Sequence, residues 1–304
     1  AFANPDIDAI LCLRGGYGTP RLLDALDFDL LRANPKPFVG YSDITALHLA
    51  INRYAGFVTF HGPMLNADLL GGKQPPTESS LFSLLRGQRG AGSVLPHPMA
   101  YPLITIEPGV ACGRLLGGNL SMIAAVMGTP YEIDVDGIIL FIEDVNEPLY
   151  RIDRLLTHLR LAGKLAQVAG VLVGDVAGVD SAALAHLLKQ TFEPLCIPVL
   201  AGWRSGHCDP NLTLPMGALV RLDAGEQRRL AEDRGRLGQG GESGAGGKLV
   251  PHIGRAGEML NLCGRAVLRI DPPERILRGE REGGHTGTAM TDAMPPDIDD
   301  VDRQ

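Results

Sequence analysis

A short apolar run lies near the start of the given sequence, at residues 7–13 (IDAILCL). It passes directly into the glycine-rich segment 14–18 (RGGYG). An apolar run of this length that ends in glycines indicates a buried strand followed by a tight turn. Residues 20–32 then carry the apolar spacing of a helix, and Pro20 suits its first turn. Strand, glycine-rich turn and helix in this order predict an α/β fold built on parallel strands.

The same order recurs along the chain. Strands are predicted at short apolar runs, and helices where apolar residues recur every three or four positions. The strands are expected at 36–40, 137–142, 168–174 and 197–201, and the helices at 42–53 and 148–162. Open α/β sheets place their binding sites at the carboxyl ends of the strands, so functional residues are expected in the turns that follow these strands.

Changes in composition divide the 304 residues into four segments. We predict an N-terminal α/β domain over 1–85, an interdomain linker over 86–112, where glycine and proline are frequent, and a second domain over 113–226. The segment 227–304 is rich in glycine and ends in an acidic run. It is therefore predicted to be a largely disordered tail, in which only 248–270 has the pattern of a strand or helix.

The composition argues against several classes of function. A net charge of -7 argues against a nucleic-acid or anionic-membrane partner. No apolar run is long enough to span a bilayer, and the first residues show no signal-peptide pattern. The five cysteines are scattered and form no CxxC pair. This favours reduced thiols in a cytoplasmic protein over a disulfide framework or a zinc site.

Ser42 is the first candidate catalytic residue, because it lies in the predicted strand-to-helix turn 39–43 (VGYSD). A serine in such a turn is exposed at the sheet edge, and the backbone N–H groups after it are suited to stabilise the oxyanion of an acyl-transfer reaction. The motif is not G-x-S-x-G, because Ile44 occupies the last position. The alternative is that Ser42 only caps the following helix.

Glu143 and His207 also follow predicted strands. A carboxylate directly after the run 137–142 can orient a histidine and stabilise its cation; alternatively, it only complements the charge of a helix end. His207 follows the strand 197–201 and can act as a general base near neutral pH, unless it is a solvated loop histidine. Serine, acid and histidine occur in the chain order of one known triad arrangement.

Two glycine-rich turns and one tryptophan are candidates for binding. The turn 14–18 is suited to bring a backbone N–H to the same carbonyl as Ser42. In the turn 116–121 (LGGNLS), Gly118 and Asn119 are candidate substrate-binding residues at a helix start that would accept a carboxylate. Neither turn matches a nucleotide-binding fingerprint, and the alternative for both is a tight turn. Trp203 either lines the substrate pocket or packs in the core.

Six segments occur in consistent order within residues 3–224: RGGYGTPRLL, FVGYSDITALHLAI, FHGPM, GRLLGGNLSMIAAVMGTPYEID, LFIEDVNEPLYRIDRLLTHLRLAG and SGHCDPNLTLPMG. Together they resemble the LD-carboxypeptidases of serine peptidase family S66. The resemblance implies a flavodoxin-like or Rossmann-like parallel-sheet N-terminal domain and a smaller, swivelling β/β/α C-terminal domain. Family members carry a strand-bearing segment ahead of the part that matches residue 3, so the N-terminal domain is expected to lack its first strand segment.

The resemblance also assigns roles to residues. The nucleophile of the family lies in the GYSD turn, which is Ser42 here. The acid of the family lies in the IED turn and corresponds to Glu143 here. The base lies in the GH turn before TLP and corresponds to His207. The active site would lie in a cleft between the two domains, with oxyanion donors from the backbone of Asp43 and of the RGGYG turn, at Gly16.

The reaction implied by the resemblance is a hydrolysis in peptidoglycan recycling. The enzymes of this family are cytoplasmic and release the terminal D-alanine of murein tetrapeptides by cutting the bond between an L-centre of diaminopimelate and D-alanine. The resemblance implies no metal or cofactor. It does imply that the protein forms a homodimer. Two alternatives stay open: a microcin C immunity-like peptidase that cleaves acyl-adenylate-type amides, and an inactive remnant that binds muropeptides.

Overall fold

The computed structural model of the protein describes residues 1–225 and 268–270. The strands of this part, in chain order, are β1 Ile10–Leu11, β2 Phe38–Gly40, β3 Thr59–His61, β4 Ile104–Glu107, β5 Val110–Asn119, β6 Ile139–Val145, β7 Gly170–Ala177, β8 Val199–Ala201, β9 Leu214–Met216, β10 Leu219–Asp223 and β11 Leu268–Ile270. The α-helices are α1 Phe28–Ala33, α2 Thr45–Ala50, α3 Thr77–Leu85, α4 Leu120–Ala125, α5 Leu149–Leu161 and α6 Ser181–Phe192.

The first sheet of the described part has four strands in the order β1-β2-β3-β9. Strands β1, β2 and β3 are parallel, so their carboxyl ends meet at one edge, where Gly40 of β2 pairs with His61 of β3. Strand β9 is antiparallel to β3 and pairs Leu214 with His61. The sheet of the predicted N-terminal domain therefore takes its last strand from residues far along the chain.

The second sheet has seven strands within the described ranges, in the order β11-β10-β5-β6-β7-β8-β4. Neighbours from β5 to β8 are parallel, whereas β10 is antiparallel to β5 and β4 to β8. The predicted α/β fold with parallel strands is confirmed, although the sheet expected in the smaller domain has more strands than the first. Strand β4 lies in the predicted linker and β11 in the segment 248–270. The rest of the predicted tail lies outside the described residues, and the domain boundaries stay predictions.

Strand β6 is buried on both faces, and its alternation decides where its two carboxylates point. Ile142 packs in a hydrophobic cluster with residues of α4, α5 and α6. Phe141 packs on the opposite face in a second cluster that includes Trp203. Glu143 lies on the Phe141 side and Asp144 on the side of α4. The adjacent carboxylates therefore serve different parts of the molecule.

A close contact beside Ser42 joins the two sheets. Gly118, in β5, has a φ of +141°, and a Cβ atom there would lie 2.4 Å from Oγ1 of Thr45. The same oxygen accepts a hydrogen bond of 2.9 Å from the backbone N–H of Asn119. Since Thr45 begins α2, this contact fixes the end of β5 against the helix that follows Ser42. Only glycine allows the two elements to approach so closely.

Two predicted helices are divided in the structure. The segment 20–32 forms a 3₁₀ helix, Thr19–Ala25, and then α1, because the side chain of Asp27 accepts a hydrogen bond from the backbone N–H of Leu30 and starts a new helix. The segment 42–53 begins as a 3₁₀ turn, continues as α2 and ends in a π-helical turn. None of the helices in the described ranges is both long and apolar enough to cross a membrane.

The cysteines agree only in part with the expectation of reduced thiols. Cys12, Cys196 and Cys208 are free. Cys112, in β5, is disulfide-bonded. The expectation is therefore wrong at this position.

Candidate active site

Ser42, His207 and Glu143 lie in hydrogen-bond contact although they are far apart in the chain. Oγ of Ser42 is 3.1 Å from Nε2 of His207, and Nδ1 of His207 is 2.7 Å from Oε2 of Glu143. Ser42 follows β2, Glu143 lies near the end of β6, and His207 lies in the loop after β8. The carboxyl ends of three strands thus bring these three predicted residues together.

These hydrogen bonds determine which nitrogen of His207 carries a proton. An ionised carboxylate can only accept, so Nδ1 donates to Glu143. In the neutral ring Nε2 then has a free lone pair and accepts from the hydroxyl of Ser42. A histidine in this tautomer can take the serine proton, and the carboxylate stabilises the imidazolium that forms.

Glu143 is fully buried, and its neighbours keep it ionised. Burial raises the pKa of the Glu143 carboxyl, but the hydrogen bond from His207 and the adjacent imidazole of His61 outweigh burial and lower the pKa to about 2. The carboxylate is therefore negatively charged at neutral pH. Since Glu143 lies inside a strand, it does not act as a charge at a helix end.

Ser42 lies in a strained turn between β2 and the 3₁₀ turn that leads into α2. Its φ is +66°, in the left-handed region that residues other than glycine rarely adopt. Such a conformation costs about 1–3 kcal/mol and persists where the surrounding structure enforces it. Tyr41, not Ser42, is the N-cap residue, and the Ser42 hydroxyl contacts His207 instead of a backbone N–H. The cap alternative therefore does not describe this serine.

Gly206 allows the histidine loop to approach the carboxylate. Its φ is +110°, and a Cβ atom at this position would lie 2.5 Å from Oε2 of Glu143. The backbone N–H of Gly206 donates to Oδ1 of Asn211 at 3.0 Å, which holds the loop in this conformation. The position before His207 thus requires glycine for both its backbone angle and its contact.

We expect Gly206→Ala to lower kcat/KM roughly 10- to 100-fold, because the new Cβ would push Glu143 and His207 apart. Steady-state kinetics on a cleavable substrate measure this loss. Gly178→Ala is the matched control: Gly178 has a φ of +91°, but a Cβ there would meet nothing within 4 Å. The control variant has a similar backbone strain, but its new Cβ atom collides with no other atom. Equal losses in the two variants would show that strain, and not the contact with Glu143, causes the effect.

Sequence models of two domains match this chain. The LD-carboxypeptidase N-terminal domain matches residues 1–62, and the LD-carboxypeptidase C-terminal domain matches residues 112–222. The chain belongs to the LD-carboxypeptidase family, S66. It is therefore a peptidase of this family, and the resemblance of its motifs is confirmed.

Relatives of two kinds are similar to this chain. A probable murein peptide carboxypeptidase of Bacillus subtilis is 40% identical over 238 residues, which cover 76% of this chain and 73% of the relative. The microcin C7 self-immunity protein MccF of Escherichia coli is 32% identical over 250 residues, 72% of each protein.

Solved structures of both kinds of protein are similar to this chain. The muramoyltetrapeptide carboxypeptidase from Oxalobacter formigenes has a TM-score of 0.61 and 33% identity over 73% of this chain and 77% of that one. The structure of MccF in complex with glutamyl sulfamoyl guanosine has a TM-score of 0.64 and 30% identity over 73% of this chain and 74% of that one.

The predicted oxyanion positions lie beside Ser42. Asp43 is buried, and its carboxylate accepts a 2.9 Å hydrogen bond from the backbone N–H of Thr19, just after the RGGYG turn. That turn contacts the serine through Gly15, where a Cβ atom would lie 3.1 Å from Oγ of Ser42. Gly16 is the next residue, with a φ of +143°. The backbone donors of Gly16 and Asp43 stay predictions.

The side chains of Asn119 and Trp203 contact other residues of the protein. The side chain of Asn119 caps α4, accepting from Met122 N–H at 3.1 Å, and donates to Asp144 at 3.0 Å. A carboxylate of the chain itself lies at this helix start, since Asp144 accepts from the backbone N–H of Ser121 at 2.9 Å. Trp203 is 1% exposed and packs in the core, which supports the core alternative. Gly118 makes the close contact with Thr45 of α2 described above. Substrate binding by Gly118, Asn119 and Trp203 stays a prediction.

Two residues near the triad carried no predicted role. Tyr41 contacts the His207 ring edge-on, with centroids 4.9 Å apart, and its hydroxyl lies 3.2 Å from Asp68. His61 is fully buried, and its Nε2 lies 3.8 Å from Oε1 of Glu143. The only sequence signal for His61 was its place in the FHGPM segment, which marked the family but no function.

A surface cavity of about 220 Å³ lies between the N-terminal ends of α4 and α5. It is lined by Ser121, Glu147, Arg151, Arg154 and Leu155. Arg151 is already paired with Glu147 at 3.2 Å, and no triad residue lines the cavity. This cavity therefore does not include the three candidate catalytic residues.

Proposed function

We propose that this protein is a cytoplasmic serine carboxypeptidase that releases terminal D-alanine from murein tetrapeptides in peptidoglycan recycling. The observation that carries the proposal is the continuous hydrogen-bond chain from Ser42 through His207 to the buried carboxylate of Glu143. The relatives named as murein peptide or muramoyltetrapeptide carboxypeptidases support the substrate class. We propose the three residues as nucleophile, general base and orienting acid.

The reaction begins when Nε2 of His207 takes the proton of Ser42 and Oγ attacks the carbonyl of the L–D amide bond. The oxyanion that forms would be stabilised by the backbone N–H groups of Asp43 and Gly16. The intermediate collapses as His207 gives its proton to the amine of the leaving D-alanine. A water molecule, deprotonated by His207, then attacks the acyl-enzyme. His207 returns this proton to Oγ of Ser42 as the bond to the acyl group breaks and the shortened peptide leaves. Glu143 stays ionised throughout and stabilises the imidazolium.

A second candidate is cleavage of acyl-adenylate-type amides. The observation that favours it is the TM-score of 0.64 with MccF bound to glutamyl sulfamoyl guanosine. The same triad would perform this reaction, because acyl transfer to serine requires only a carbonyl, a leaving amine and the oxyanion donors. The two candidates differ in what the pocket must accommodate on either side of the scissile bond.

We expect the purified protein to release D-alanine from a murein tetrapeptide, with the free amino acid measured by mass spectrometry. The control substrate is the same peptide with L-alanine at its end. We expect it to be cleaved at least about 100-fold more slowly, because inversion of the terminal centre moves its methyl group out of the position that a D-residue occupies. An aminoacyl sulfamoyl adenosine is tested in parallel. Faster hydrolysis of that compound than of the tetrapeptide would favour the second candidate, and no hydrolysis of any of them would contradict both.

A further inference from the structure

Glu143 has a carboxylate oxygen that the triad does not use. Oε2 accepts from His207, whereas Oε1 is buried and has no hydrogen-bond partner within the described part of the chain. An unpaired buried carboxylate oxygen costs stability, because water can no longer solvate it. The group that faces it is therefore of interest for the mechanism.

The group that faces Oε1 is His61, at the end of β3. Its Nε2 lies 3.8 Å from Oε1, and it also has no other partner among the described residues. Both side chains are fully buried. The separation is longer than a hydrogen bond, but catalytic contacts are often long without substrate and shorten when the site closes around it.

We propose that His61 is a positioning residue: its Nε2–H holds Oε1 of Glu143, so that Oε2 stays aimed at His207. This inference rests on the proposed function, because the orientation of Glu143 matters only if His207 is the base. It adds a fourth side chain, from the first sheet, to a triad whose acid comes from the second sheet.

The surroundings of His61 select the tautomer that this role requires. Nδ1 of His61 lies 3.3 Å from Oγ of Ser205, which can donate its hydroxyl proton to that nitrogen. With Nδ1 accepting, the proton of the neutral ring is on Nε2, where it points at Glu143. Phe141 packs edge-on against the same ring at 4.9 Å and fixes its plane. One chain of contacts then runs from Ser205 to Ser42.

The charged and titratable groups that interact with Glu143 come from several elements. They are Tyr41, His61, Asp175, His207 and Cys208. Burial raises the pKa values of Tyr41 and Cys208 far above neutral, to about 12 for Cys208, so neither ionises near pH 7. Burial also raises the pKa of Asp175, which is paired with Arg204 at 3.0 Å. Because Asp175 is present in all variants below, differences between variants report on His61.

The proposal predicts a shift in the pH profile. A donor on Oε1 draws negative charge away from the Glu143–His207 pair and so makes the pair a weaker base. In His61→Leu this donor is absent, and we expect the acid limb of kcat/KM to move to higher pH by about half a unit or more. We expect kcat to fall roughly 10- to 100-fold with KM changed less than threefold, because the defect lies in the orientation of the acid.

Three further variants make the test specific. His61→Gln keeps an N–H donor near the position of Nε2 and is expected to restore most of kcat and the parental acid limb. Ser205→Ala keeps the ring but frees Nδ1, and a shift of the same sign and smaller size is expected. His48→Gln is the matched control. His48 is equally buried and its ring centroid lies 6.3 Å from that of His61, but its ring bonds Thr59 and Gly40 and not Glu143, so the acid limb should not move.

The outcomes separate this proposal from the proposed function. If the parent enzyme does not release D-alanine, the proposed function fails, and the same variants are compared on the aminoacyl sulfamoyl adenosine. An unchanged acid limb in His61→Leu on that substrate, or no hydrolysis of it by the parent, would overturn the positioning role. If the parent is active and His61→Leu or Ser205→Ala keeps the parental acid limb, the positioning role is overturned. If His61→Leu does not fold, the comparison of Ser205→Ala and His61→Gln with His48→Gln decides. A shift in His48→Gln equal to that of the other variants would also overturn the proposal, since it would reflect general loosening of the site.

Discussion

Replacing Ser42 by alanine is expected to lower kcat/KM for D-alanine release by at least about 10⁴-fold. The hydroxyl is the proposed nucleophile, and no other hydroxyl lies within hydrogen-bond distance of Nε2 of His207 in the described part of the chain. Without it, His207 could only activate water from a position that the turn does not prepare. Mass-spectrometric measurement of D-alanine release from the tetrapeptide gives the ratio.

Alanine is the informative substitution because it leaves the turn otherwise unchanged. At a φ of +66°, alanine bears the same Cβ strain as serine, so the variant isolates the loss of the hydroxyl. We expect its thermal stability and its Kd for the tetrapeptide to stay near those of the parent. Ser42→Gly removes the hydroxyl and the strain together, and should be as inactive but about 1 kcal/mol more stable.

Turnover above one-hundredth of the parental rate in both variants would contradict the role of Ser42 as nucleophile. If Ser42→Ala loses both turnover and binding of the tetrapeptide, the serine hydroxyl is needed to bind the substrate. Calorimetric titration with the tetrapeptide separates these results. The stability difference between the two variants tests the strain at this turn independently of any activity.

The three candidate residues could be found in the sequence because each lies at or after the end of a short apolar run. Strand and turn signals are local in sequence, and parallel strands bring their carboxyl ends to one edge whatever the details of packing. The succession of strands therefore placed Ser42, Glu143 and His207 at strand ends. Ser42 follows a strand of the first sheet and Glu143 lies in the second, so their convergence depends on how the two sheets pack and could not be predicted from strand order. The lengths of the elements were less predictable: the strand expected at 7–13 is only Ile10–Leu11 in the structure.

His61 and Asn119 depend instead on contacts between distant segments. Strand β3 is three residues long, too short to show an alternating pattern, and its last residue faces Glu143 only because two sheets pack together. For Asn119, the sequence indicated a helix start but could not show that Asp144 would fill the anion position. Whether a polar residue faces a pocket or the interior is decided by such pairings, which a local pattern does not contain.

Glu143→Gln is expected to lower kcat about 10⁴-fold while leaving the shape of the site nearly unchanged. The amide has the size of the carboxylate but carries no charge to stabilise the imidazolium. Its orientation is also unfavourable. If His61 donates from Nε2, the amide oxygen turns to His61 and the amide N–H₂ turns to His207. Nδ1 of His207 then accepts, the ring proton moves to Nε2, and Nε2 no longer takes the proton of Ser42.

Asp144→Asn is the matched control for this prediction, because Asp144 is the adjacent buried carboxylate of the same strand. It accepts from Ser121 and Asn119 on the α4 side and makes no contact with His207 among the described residues. We expect this variant to lose stability but to keep kcat within about threefold of the parent. Equal rate losses in the two variants would show that any buried charge of β6 is needed for folding, and not that Glu143 acts on His207.

The pH dependence of stability gives a second, independent measure of Glu143. Its pKa is about 2 in the folded protein, below the ordinary value of 4.5 that it recovers on unfolding. Ionised Glu143 therefore stabilises the fold above about pH 4.5, and this contribution is lost as the pH falls towards 2. We expect the difference in Tm between the parent and Glu143→Gln to shrink over that interval. A constant difference would mean that His207 and His61 do not hold the carboxylate in its ionised form, and the orientation argument for the triad would fail with it.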